Sequence, residues 1–200
     1  MLAEVTPVFG AVEGDPDEVV LRRLVHEAGG RVEAVYGKTG KADLLRQLKA
    51  YNHAAVHAPW VVLVDLDRSA ECPPPVLPEW LPNPAPLMCF RIVVRAIESW
   101  LMADRERMAA FMGVPYRRVP HDPERLENPK EAMVSLASRS RSGAVREDMV
   151  PRPGSGRSVG PAYTSRLIEF AAGLWRPDIA AERAESLQRS QARLERLLRQ

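Results

Sequence analysis

Two hundred residues, 46% hydrophobic and 27% charged, suffice for one globular domain with a sizeable core, or for such a domain with a helical annex. A net charge of +2 and a pI near 8.7 permit a nucleic-acid partner without demanding one, because a local basic patch counts for more than the sum. No apolar run is long enough to span a bilayer, and Cys72 and Cys89, without metal-type spacing and with no signal peptide ahead of them, argue against a disulfide framework and for a reducing cytoplasm.

The chain opens with a weakly alternating stretch, Val5 to Val12, that reads as a strand, with Pro7 hinting at an edge or a bulge. Asp15 then suits a helix cap and Pro16 the first helical position, while Asp17 and Glu18 face the positive end of the helix dipole. Gly29 and Gly30 should stop this helix. A second short strand is expected over Arg31 to Tyr36, and a helix over Ala42 to Tyr51, with Leu44, Leu45 and Leu48 as its apolar stripe. Between them lies Gly37-Lys38-Thr39-Gly40-Lys41. It is not a Walker loop, since no glycine sits five residues ahead of Gly37, but Lys38 and Lys41 at a helix amino terminus are candidates to touch a phosphate. A solvated lysine-bearing turn explains them equally well.

The stretch that organises the rest is Trp60-Val-Val-Leu-Val-Asp65-Leu66-Asp67. This run of β-branched and aliphatic residues reads as a strand buried on both faces. Asp65 and Asp67, two positions apart, should point to the same side at its carboxyl end, where open α/β sheets bind ligands. Two carboxylates so close repel unless a proton or a hard cation such as Mg²⁺ lies between them. Strands alternating with helices up to this point predict a parallel sheet built from βαβ units.

Ser69 to Pro86 is dense in proline and predicts a stiff extended loop, with at most a helical turn around Glu79 to Leu81. A fourth strand is expected over Leu87 to Val94, a helix over Ala96 to Asp104, and another to Met112, stopped by Gly113. Asp104 should cap that second helix. Residues 1–113 therefore read as an α/β domain and 114–200 as a helical carboxyl-terminal part. Within the latter, Pro129 opens a helix to about Ser138. The stretch from Arg139 to Gly160 lacks apolar periodicity and carries Arg139, Arg141, Arg146, Arg152 and Arg157, so it reads as a mobile arm for a phosphate backbone. Two helices should finish the chain, about Pro161 to Trp175 and Pro177 to Leu198, the latter with Leu187, Leu194, Leu197 and Leu198 as its packing stripe. The histidines show no ligand spacing.

Glu13, Asp17 and Glu18 after a first strand, followed by Asp65 and Asp67 after a third, resemble the acidic pattern of the Toprim fold of topoisomerases, primases and overcoming-lysogenization-defect nucleases. Phe90 to Asp104, Glu127 to Lys130, Gly160 to Tyr163 and Ser186 to Arg189 are similar, in order and spacing, to segments of an uncharacterised prokaryotic Toprim-like family, across nearly the whole chain. That resemblance implies a Rossmann-like parallel sheet and Mg²⁺ or Mn²⁺ as cofactor. It further implies nuclease-like phosphodiester chemistry, a role in phage defence and an AAA-type ATPase partner. Carried over by position, Asp65 and Asp67 match the metal-binding pair, Glu13 the glutamate that is ligand or general base, and Asp17 the acid of a second metal.

Glu98 reads in two ways: as an i,i+3 ion pair with Arg95, or as a further acid of the metal site. Lys38, Lys41, Arg68 and Arg95 are the candidates for holding a scissile phosphate. A rival reading, in which Arg68 neutralises the acids, makes the protein a catalytically inactive docking or nucleic-acid-binding module of an ATPase complex.

Overall fold

The computed structural model describes residues 6–66 and 73–199. Strands and helices alternate through the first half: β1 (Pro7–Val12), α1 (Asp15–Glu27), β2 (Arg31–Gly37), α2 (Lys41–Ala54), β3 (Trp60–Asp65), α3 (Pro73–Trp80) and β4 (Met88–Val93). All four strands are parallel, in the order β2-β1-β3-β4, which makes this an α/β chain with a Rossmann-like sheet. The order reverses between β1 and β3. The connection through α1 leads outward to β2, and the one through α2 returns across β1 to β3. A crevice at the carboxyl ends of β1 and β3 follows from that reversal, because the two connections leave in opposite directions.

Period-two alternation sorts the strand residues between two cores. Val8, Val12, Val61, Leu63, Cys89 and Val93 face α1 and the carboxyl-terminal helices, while Ala11, Trp60, Val62, Val64, Phe90 and Ile92 face α2 and α3. Asp65 continues the alternation of Val61 and Leu63. It therefore belongs to the face toward α1.

The second half is helical: α4 (Ile97–Ala103), α5 (Arg105–Met112), α6 (Pro129–Ser138), α7 (Gly143–Met149), α8 (Tyr163–Gly173), α9 (Pro177–Ala181) and α10 (Glu185–Leu198). These helices are not an annex with a separate interior. One apolar cluster runs from Val8, Val20 and Leu24 through Trp100, Leu101 and Met108 to Phe170, Trp175 and Leu194. Polar ties fasten it. Trp100 Nε1 donates to Ser186 Oγ at 2.7 Å, Trp175 Nε1 donates to the Trp100 carbonyl at 3.1 Å, and Ser186 Oγ also donates to Glu124. Asp104, wholly buried, caps α5 as its sequence position suggests. It also takes two N–H groups of the Arg176 guanidinium at 3.0 and 2.7 Å, which ties α9 to α4. Among the described residues, no helix is long and apolar enough to cross a membrane.

Four expectations need correction. The proline-dense stretch holds a helix, α3, because a proline in the first turn removes only N–H groups that have no helical partner anyway. Pro78 forgoes one further bond, and the burial of Val76 and Leu81 in the core under α2 holds the turn together. Within 139–160, α7 forms where an irregular arm was expected. Val145 and Met149, one turn apart, are its buried face, too short a pattern to register as periodicity, and Ser142 caps it. The last predicted helix is two, broken at 182–184 between α9 and α10. At α1 the cap is Gly14 and Pro16 takes the second helical position, one residue from the expected register.

Candidate functional site

Pairing of β1 with β3 covers Phe9 to Ala11 against Trp60 to Val62 and then stops, whereas β3 stays paired with β4 as far as Asp65 and Val93. Past the last β1–β3 pair, a side chain replaces the ladder: Glu13, the residue after β1, accepts the backbone N–H of Asp65 on Oε1 at 2.7 Å. The carboxyl ends of the two central strands are thus bridged by an acid. The Gly37–Gly40 loop fixes where that acid sits. Lys38 N–H donates to the Val12 carbonyl at 2.9 Å and Gly40 N–H to the Glu13 carbonyl at 3.1 Å. Gly37 has φ +85°, and a Cβ there would lie 2.4 Å from the Val12 carbonyl oxygen, so only glycine lets the loop close on β1.

Asp17, in the first turn of α1, turns back toward the same place. With Asp15 and Glu18 it is one of three acids in that first turn, where the helix dipole favours negative charge. The dipole does not require burial, yet Asp17 is only 7% exposed. Burial first, and then the charges of Glu13 and Glu98, push its carboxyl up to about 7. Glu98, in the first turn of α4, is 4% exposed, and its Oε1 accepts the Tyr163 hydroxyl of α8 at 3.0 Å. That bond stands where the sequence suggested an ion pair with Arg95. Burial, and then the Glu98 carboxylate, raise the Tyr163 phenol well above its usual range, so it acts as a donor.

Glu98 and Asp65 also line one side of a cavity of about 340 Å³, with Arg95 and Ala96 beside them and Glu127, Asn128, Pro129 and Lys130 opposite. The far wall is the start of α6, where Asn128 caps the helix by accepting the Glu131 N–H at 3.2 Å. The cavity lining thus combines the acids Asp65, Glu98 and Glu127 with Arg95, Lys130 and the positive end of α6.

Of the predicted site residues, Glu13, Asp17, Asp65 and Glu98 converge on the switch point, and Arg95 joins them in the cavity wall. Asp67 and Arg68 lie outside the described residues. Lys41 approaches from the opposite core: its ammonium donates to the Asp65 carbonyl at 2.6 Å and the Leu66 carbonyl at 3.1 Å, and stands 5.0 Å from the centre of the Trp80 ring. It holds the end of β3 in place. Lys38 pairs with Glu18 at 2.8 Å and Asp15 at 3.6 Å, on the outer rim. Sequence reasoning missed Tyr163, Glu127, Asn128 and Lys130 as site residues, although the segments containing them carried the family resemblance.

The donors are carboxylate oxygens, the chemistry a hard divalent cation takes. Among the described residues, no three His, Cys, Asp or Glu side chains are grouped closely enough to hold a metal ion. Mg²⁺ in phosphoryl-transfer sites uses one or two carboxylates together with water and substrate phosphate, so the donor set fits without a closed protein cage. Compared with family models, curated proteins and solved structures, the chain gives no significant match in any of the three.

Proposed function

We propose that the chain is a Toprim-like protein that carries out Mg²⁺-dependent phosphodiester chemistry on nucleic acid at the Glu13, Asp17, Asp65 and Glu98 site, with Asp67 as a further ligand. The observation that carries this reading is the burial of Asp17, within reach of the charges of Glu13 and Glu98, by the crevice where β1 and β3 diverge. Acids kept in a poorly solvated place repel one another, and a divalent cation held by one or two of them with water and substrate phosphate relieves that cost. Bound there, Mg²⁺ supplies Lewis-acid polarisation of a phosphoryl oxygen.

The protein's own groups have separable tasks. Tyr163 orients Glu98, the Gly37–Gly40 loop orients Glu13, and Lys41 steadies the end of β3 from the other face. Arg95 and Lys130, both in the cavity lining, offer positive charge to a phosphate that enters it. Asp17 gives up its proton when a cation arrives, so cation affinity rises with pH through about 7.

The test is cleavage of plasmid and single-stranded substrates with Mg²⁺ or Mn²⁺ by wild type and by Asp65→Asn. Activity that requires the cation and disappears in the variant supports the enzyme. A wild type that binds cation and nucleic acid but cleaves neither substrate favours the docking module of an ATPase complex.

A further inference from the structure

Arginines 189, 193 and 196 on α10 follow an i, i+4, i+7 spacing, which puts them on one side of the helix while Leu187, Leu194 and Leu197 bury the other. The helix runs antiparallel to β4, the edge strand of the sheet. Near its start, Ser186 Oγ accepts the Val94 N–H at 3.2 Å, and two turns later Arg193 donates to the Met88 carbonyl at 3.0 Å. Between those points Arg91, from the middle of β4, lies half-buried under the helix and donates to Ser190 Oγ at 3.3 Å. Four guanidinium groups therefore share one strip of surface. Burial lowers the Arg91 pKa, and Arg189, Arg193 and Arg196 add to the effect.

Carboxylates do little to balance this strip. Glu185 pairs with Arg189, and Glu195 turns away to Arg199. Among the described residues, no carboxylate lies within ion-pair distance of Arg91, Arg193 or Arg196. A guanidinium cannot shed its proton to relieve repulsion, so the strip keeps its charge until an anion arrives. Blunting of the sheet edge accounts for Arg193, which covers the Met88 carbonyl, but not for Arg196 or Arg91.

The strip's shape selects its ligand. It is an open row, not a cavity, and the seven-residue span from 189 to 196 is about 10 Å of helix, comparable to two or three successive phosphates of one strand. We propose that Arg91, Arg189, Arg193 and Arg196 form a nucleic-acid backbone track along the β4 edge, starting beside Val94 and Arg95 and leading away from the acidic site. It rests on the reading above only in taking nucleic acid as the polymer, and it places the backbone contacts on α10 instead of on the 139–157 arginines.

The experiment is fluorescence anisotropy with labelled single-stranded and duplex 20-mers, in EDTA so that neither cation nor cleavage enters, across 50 to 200 mM salt. Arg193→Gln/Arg196→Gln should weaken binding about tenfold and flatten the slope of log K against log salt by about 1.4 to 1.8, the share of two phosphate contacts. Arg193→Lys/Arg196→Lys keeps the charge and should retain most of the affinity, which separates loss of charge from loss of fold. Arg152→Gln/Arg157→Gln should change binding less than twofold. The proposal is overturned if the Gln pair binds like wild type, if the Lys pair is as weak as the Gln pair, or if wild type binds neither strand. It is also overturned if phosphatidylserine vesicles compete the protein off nucleic acid at equal charge concentration. A failed cleavage assay alongside intact, strip-dependent binding would count against the acidic site alone.

Discussion

Replacing Asp17 by asparagine keeps the size of the side chain and removes its charge. Burial, and then the charges of Glu13 and Glu98, push the Asp17 carboxyl up to about 7 from its ordinary 3.8, so the folded state holds the proton more tightly. The associated stability is complete below pH 4 and is lost as pH rises through about 7. Three pKa units correspond to a ceiling of about 4 kcal/mol, at 1.36 kcal/mol per unit. Relative to wild type, Asp17→Asn should therefore gain stability with rising pH, the gap widening by about 2 to 3 kcal/mol between pH 5 and pH 8. Urea unfolding of both proteins in EDTA at the two pH values measures it. Millimolar Mg²⁺ at pH 8 should restore part of the wild-type loss by mass action, about 2.7 kcal/mol at a hundredfold excess over Kd, and should help the variant less. A gap that does not change with pH, or a variant less stable than wild type at pH 8, would refute the claim that Asp17 is a strained acid.

Three other perturbations separate support from chemistry. Tyr163→Phe removes the donor to buried Glu98 and should cost about 1 to 3 kcal/mol in urea unfolding; a Mn²⁺ affinity lowered several-fold at unchanged fold would mark Tyr163 as a positioning residue and not only a packing one. Gly37→Ala forces a left-handed conformation and a clash with the Val12 carbonyl, so a loss of about 2 kcal/mol or more is expected, together with weaker cation binding because Glu13 shifts. Arg176→Ala leaves the fully buried Asp104 without its cation and should lower stability in urea unfolding, with cation affinity at the remaining folded fraction unchanged.

The parts of this architecture that depend on local pattern were readable from residue order. Trp60 to Asp65 carries its own strand signal, and the alternation of such runs with amphipathic helices implies a parallel sheet. Once the sheet is parallel, Glu13 and Asp65 must emerge at the same end. What the sequence could not supply were contacts between distant segments. Tyr163 reaches Glu98 across 65 positions, and the start of α6 faces β3 only because the shared core folds it there. Local rules also misled. Proline density hid α3, since position within a helix and not proline count decides its cost, and two buried residues in α7 outweighed the polar composition around them. The Gly-Lys-Thr sequence that invites a phosphate-loop reading turns out to be a clamp on β1, where its glycines serve backbone closure.

Titration calorimetry of Mn²⁺ into wild type, Asp65→Asn and Glu13→Gln at pH 8, with and without a nuclease-resistant single strand, tests the central claim most directly. Wild type should bind the cation at pH 8, and both variants should lose that binding. Absence of binding by the wild type in either condition, or equal binding by all three proteins, would contradict it.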